Sequence, residues 1–219
     1  MTSQKRRRGW AAKRYERDQA EYIRIVSFSD AVFAIAMTLL IVTVDAPEPP
    51  VPDLTAKVRA LSPEIFSFFL SFAVIGRYWL AHHRFFGLLQ AVSGSLLRWN
   101  LLYLALVAFL PWPTALVGDF PMSTLAVVAY ALCAAAVNAV ETRMYAVAVE
   151  DGLLERSLPK DVQRYALVAS LVPVFVFILS VPVALWDRRA AIVLWLLILG
   201  PTQFLIRRFR PPNTDDLWM

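Results

Sequence analysis

The chain has 219 residues, of which 58% are apolar and 18% charged. Soluble domains hold about 45–50% apolar residues, so this composition, with a mean hydropathy of +0.55, excludes an ordinary soluble enzyme and a disordered chain and points to a bilayer. A spanning helix takes about 20 residues, which leaves room for six crossings and little for a soluble domain, and the net charge of +5 then reports topology rather than nucleic-acid binding.

Residues 1–23 read as a basic cytoplasmic segment with Lys5, Arg6, Arg7, Arg8, Lys13, Arg14 and Arg17. Its KRRRGW string is not an export signal, because Glu16, Asp18 and Glu21 interrupt the approach to the apolar run and no A-x-A site follows. The segment suits the anionic headgroups of membrane lipid. Spans are predicted at 24–44, 61–80, 97–117, 122–145, 163–185 and 190–207, forming one transmembrane domain over 24–207, with a cytoplasmic tail at 208–219. Pro47, Pro49, Pro50 and Pro52 stiffen the linker after the first span, and Pro173 and Pro182 fall inside the fifth. With both termini on one side, eighteen of the 22 Lys and Arg residues lie on that side. The positive-inside rule makes it the cytoplasmic one in a multi-pass membrane protein. Cys133 is the single cysteine, so the chain has no internal disulfide.

The first span differs from the others by its polar content, since Asp30 stands at the head of the run AVFAIAMTLLIV and a carboxylate in hydrocarbon costs at least about 2.5–3.5 kcal/mol. Arg24 and Asp30 are six residues apart and point to different faces of a helix, so each looks to another helix. Trp79, His82 and His83 on the second span and Arg98 and Asn100 on the third are the available partners. The simplest reading is a buried network joining Ser29 and Asp30 to these groups; a proton relay of Asp30 with a histidine and a metal site are the alternatives. Adjacent histidines lack the i, i+4 spacing of a helical ligand pair, so no metal centre is expected. Glu141 and Asn138 read as packing contacts in the fourth span. The chain has seven glycines and neither a phosphate loop nor an H-E-x-x-H or G-x-S-x-G motif, so an intramembrane enzyme is the weakest reading. On the first span Phe28, Ala31, Ile35, Thr38, Leu39 and Val42 share one stripe.

The string R-x-x-x-F-S-D at Arg24, Phe28, Ser29 and Asp30, followed by A-x-x-A-I-A-M-T-L-L, resembles the signature of the transmembrane protein 175 family of potassium channels. A second string resembles it too: Ser71 and Phe72 followed by Trp79, His82, His83 and Phe86. The resemblance implies an all-α membrane protein with six transmembrane helices per subunit, a homotetramer whose central pore is lined by the first helix, since only one such motif occurs here. It implies a constriction at Ile35, with Leu39 and Val42 continuing the lining, and assigns Arg24, Phe28, Ser29, Asp30, Trp79, His82 and His83 to the structure around the pore. Thr38, by our own reading of its position, adds a ring of hydroxyls beyond the constriction. No T-V-G-Y-G segment is present to supply a carbonyl filter. The expected cargo is potassium with other monovalent cations, and no cofactor is expected. A secondary transporter is the competing class, although the first span is interrupted by neither Gly nor Pro and has no copy in the second half.

Overall fold

The structure, a computed structural model, describes residues 13–47, 52–120, 123–155 and 159–199. The basic run before Lys13, the end of the sixth predicted span and the C-terminal tail lie outside the described residues. Strand β1 (Arg14–Glu16) leads into helix α1 (Ala20–Leu39), which tightens into a 3-10 turn over Leu40–Thr43. There follow α2 (Leu54–Ala60), α3 (Ser62–Gly87), β2 (Ala91–Ser93), α4 (Gly94–Phe109), α5 (Pro111–Asp119), α6 (Thr124–Glu150), α7 (Lys160–Trp186) and α8 (Arg188–Leu199).

Among the described residues five segments are long and apolar enough to cross a membrane: 20–43, 62–87, 94–119, 124–150 and 160–186. They coincide with the first five predicted spans, and α8 begins the sixth. The protein is a multi-pass membrane protein. Most helix ends lie a few residues beyond the predicted ones, because local chemistry and not the loss of apolar residues terminates them. Ser93 caps α4 by accepting from Leu96 N–H, and Ser123 caps α6 by accepting from Ala126 N–H. Pro63 and Pro111 sit in the first turns of α3 and α5, where a missing N–H costs nothing. At the end of α6, Gly152 adopts φ +63°, and its N–H and that of Leu153 return to Val149 and Ala148 carbonyls. This Schellman turn folds the chain back toward α7.

Two apolar clusters hold the helices together. In one, Phe33 and Ala36 of α1 and Leu40 of the 3-10 turn meet Ile75 and Tyr78 of α3 and Tyr103, Leu104 and Val107 of α4. In the other, Ala126, Ala131, Ala134 and Ala135 make a small-residue ridge on α6 in a cluster with Phe177 and Ala184 of α7 and Trp195 of α8. The indole of Trp195 stacks on Tyr130 at 4.7 Å and donates to Ser180 Oγ at 3.0 Å.

One feature departs from the expected purely helical layout: β1 pairs antiparallel with β2, opposing Arg14 to Ser93, Tyr15 to Val92 and Glu16 to Ala91. A three-residue strand is too short to show a period in sequence. The ladder and an antiparallel bridge between Leu89 and Leu154 bring the N-terminal segment, the α3–α4 turn and the α6–α7 turn to one end of the bundle, the three segments that the charge count assigns to a common side.

Candidate functional site

Helix α1 has two faces of different character. Tyr22, Ser29, Phe33 and Ala36 are buried, joined by Leu40 in the 3-10 turn. Phe28, Ile35, Leu39 and Val42 are exposed, Ile35 at 57% and Val42 at 72% of their free surface. Thr38 and Ala31 lie on the exposed side as well. The predicted stripe is therefore exposed and unpartnered among the described residues of one subunit. Val42 belongs to the 3-10 turn, so the stripe leaves α-helical spacing at its far end. The Thr38 hydroxyl donates back to its own helix, 2.9 Å from Ile35 O and 3.0 Å from Ala34 O. This occupies the proton and leaves oxygen lone pairs free on the exposed side.

Behind α1, the polar residues of the two motifs meet on three helices. Asn100 of α4 stands at the centre: its Nδ2 donates to Ser29 Oγ at 3.0 Å, and its Oδ1 lies 2.8 Å from His82 Nε2. All three side chains are buried. The His82 ring stacks on Phe86 at 4.4 Å and nearly parallel to Tyr103 at 5.7 Å, and its Nδ1 is buried without a hydrogen-bond partner. Ser29 completes its own bonding by donating to Ile25 O at 2.9 Å. Asp30, half-buried, accepts from Trp79 Nε1 at 2.9 Å. The indole in turn packs on His83, ring centres 5.6 Å apart.

The structure thus brings Ser29, Asp30, Trp79, His82 and Asn100 together and sets three motif residues apart. Arg24 and Phe28 are exposed on α1, and Arg24 makes no ion pair among the described residues. Arg24, expected to look to another helix, is exposed within one subunit, because the six-residue spacing turns it away from the α3 contact that Asp30 makes with Trp79. His83 is exposed and touches the network only through Trp79. Arg98 is exposed too. Among the described residues no three His, Cys, Asp or Glu side chains are grouped to hold a metal ion.

A second polar cluster escaped the sequence reading. Asn138 of α6 donates to the Tyr78 hydroxyl at 2.7 Å, and Arg77 Nη2 lies 3.5 Å from Asn138 Oδ1. Asn138 was visible as a polar interruption, but the pairing of α3 with α6 that gives it partners was not.

The sequence profile described as the endosomal/lysosomal potassium channel TMEM175 matches residues 24–111, which include both motifs. A potassium channel of Chamaesiphon minutus is 37% identical over 134 residues, covering 58% of this chain and 66% of that protein. One of Streptomyces collinus is 41% identical over 98 residues, 44% of this chain and 48% of that protein. The chain thus aligns with about half to two thirds of the length of these curated relatives. The crystal structure of a lysosomal potassium-selective channel TMEM175 homolog from Chamaesiphon minutus superposes with a TM-score of 0.75 at 26% identity, over 86% of this chain and 99% of that one. Sharing both motifs with the family profile and its fold with nearly the whole of a solved relative, the chain belongs to the TMEM175 family.

Proposed function

We propose that this protein is a potassium-permeable cation channel, a homotetramer whose water path is lined by the exposed face of α1. The observation that carries the reading is the unpartnered stripe of Ile35, Thr38, Leu39 and Val42 on a helix whose other face is fully packed. One copy of α1 cannot enclose a water path, whereas four copies around an axis bury the stripe against a pore. The family profile spans this segment, and the relatives named as potassium channels support the cargo.

In this reading Ile35 forms the narrowest ring. Four branched aliphatic side chains close a path by excluding water, and the ring widens to pass an ion. Such a ring does not replace a hydration shell, so discrimination is modest and arises where the ion regains oxygen ligands. Thr38, one turn beyond, offers those oxygens, because its proton is already given to the Ala34 and Ile35 carbonyls. The Ser29–Asn100–His82 set and the Asp30–Trp79 bond hold α1 against α3 and α4, and touch no ion. No resident cofactor takes part.

The test is gradient-driven flux through liposomes containing only the purified full-length protein. Potassium uptake with unitary current steps, exceeding that of sodium, is expected. Absence of flux would overturn the channel reading, and saturable flux stoichiometrically coupled to a second ion would replace it with the transporter class.

A further inference from the structure

The N-terminal end of α1 is tied down far more firmly than insertion into a bilayer requires. The β1–β2 ladder is extended at both ends, by Arg17 N–H donating to Gln90 O at 2.9 Å and by Gly94 N–H donating to Lys13 O at 3.0 Å. The α3–α4 turn is itself paired with the α6–α7 turn, through Gln90 N–H to Leu153 O and Glu155 N–H to Leu88 O, both at 2.9 Å. Side chains join the same three segments. Ser93 donates to Asp151 Oδ2 at 2.7 Å, Arg14 donates to Asp151 O at 2.6 Å, and Arg17 pairs with Glu155 at 3.0 Å. Leu89, Ala91, Val92 and Leu153 fill the centre and are buried. Just beyond, the Tyr22 hydroxyl donates to Phe86 O at 2.7 Å.

Arg17, Asp18 and Gln19 alone separate β1 from α1. From Ala20 to Ile35 the helix is unbroken, a rod of about 22 Å at 1.5 Å per residue. A tilt of about 5° at its base therefore moves Ile35 by about 2 Å, on the scale of the widening an aliphatic ring needs. Among the described residues the outward face of the rod is exposed, so its attitude is set by the packed face and by this base.

We propose that the clamp formed by β1, β2 and the α6–α7 turn positions the base of α1 and thereby sets the open probability of the pore. Arg14, Arg17, Asp151 and Glu155 are positioning residues that act through α1 without contacting the ion. This inference rests on the channel reading. The Arg17–Glu155 pair is the adjustable part, because its side chains are 52% and 60% exposed. An exposed pair contributes little to folding, yet the same small energy changes an open-to-closed ratio by up to about fivefold.

The experiment compares single-channel recordings of the full-length protein with those of Glu16→Cys/Ala91→Cys. These residues oppose each other in the ladder, and since the pairs on either side carry the ladder bonds, they form a close pair whose Cα separation of about 4.5 Å suits a disulfide. Cys133 is buried and does not compete. With the bond verified by mass spectrometry, oxidation with copper phenanthroline is expected to change open probability by more than about threefold relative to the same protein reduced, at unaltered unitary current and potassium-to-sodium ratio. Arg17→Glu is expected to shift open probability, and Arg17→Glu/Glu155→Arg to restore it. A wild-type channel that conducts while the cross-linked and reduced forms gate identically would overturn the clamp alone. A wild-type protein with no unitary currents would overturn the channel reading, and the clamp with it.

Discussion

Ile35 and Thr38 lie one turn apart on the same side of α1 and present opposite chemistry to it, a branched hydrocarbon and an oxygen with its proton already engaged. If Ile35 forms the constriction, Ile35→Ala should raise unitary conductance and bring the potassium-to-sodium permeability ratio toward one, read in planar bilayers under mixed-ion conditions. A variant with unchanged current and selectivity would remove Ile35 from the pore. Asp30 poses a different question. Its partner is the Trp79 indole rather than Arg24, so removing Arg24 leaves no buried charge stranded, whereas Trp79→Phe takes the only hydrogen bond given to a half-buried carboxylate among the described residues. A hydrogen bond to a charged group is worth about 1.5–3 kcal/mol. Trp79→Phe should therefore lower the thermal midpoint of the purified protein more than Asp30→Asn, whose amide oxygen still accepts from the indole. The reverse order would show that the charge of Asp30, and not its bond, matters to the fold.

The three helices nearest the proposed pore are stitched by a single amide. Asn100 gives α4 a bond to α1 through Ser29 and one to α3 through His82. Asn100→Leu should cost about 2–3 kcal/mol, mostly by leaving His82 with neither nitrogen paired. Removing both partners costs less than removing one, and His82 is held between the Phe86 and Tyr103 rings in a place shaped for an aromatic. The double variant His82→Phe/Asn100→Leu should thus recover most of the lost stability in a thermal unfolding assay, and its ion flux should match the wild type. Recovery of the fold without flux would assign His82 a part in conduction. These elements also show what a sequence discloses. The spans were legible because 20 or so apolar residues in a row admit one explanation in a bilayer, and the Ser29–Asp30 and Trp79–His82 strings were legible because polar groups there demand partners. The exposed position of Arg24 and the link between Asn138 and Tyr78 depend on how helices rotate and pair, which hydropathy does not encode. The clamp stayed hidden because two three-residue strands carry no periodicity, and their pairing joins positions more than 70 residues apart.

The distribution of exposed apolar surface over the whole subunit bears on assembly. Exposed side chains on α7, among them Val168, Phe175 and Leu179, are ordinary for a helix facing lipid. On α1 the exposed residues include Ile35, Leu39 and Val42, which lipid would solvate equally well, so exposure by itself does not distinguish a pore from a lipid face. Distance does. In the proposed four-fold assembly the narrowest ring should bring each Ile35 within disulfide reach of its neighbours, while α7, which packs on α6 and α8, should stand outside that ring. With Cys133 buried and silent, Ile35→Cys should form covalent dimers under mild oxidation in the membrane, at most two per tetramer because each thiol bonds once. Val168→Cys should remain monomeric under the same treatment. If Val168→Cys cross-links and Ile35→Cys does not, α1 faces lipid, and the pore must be sought on another helix.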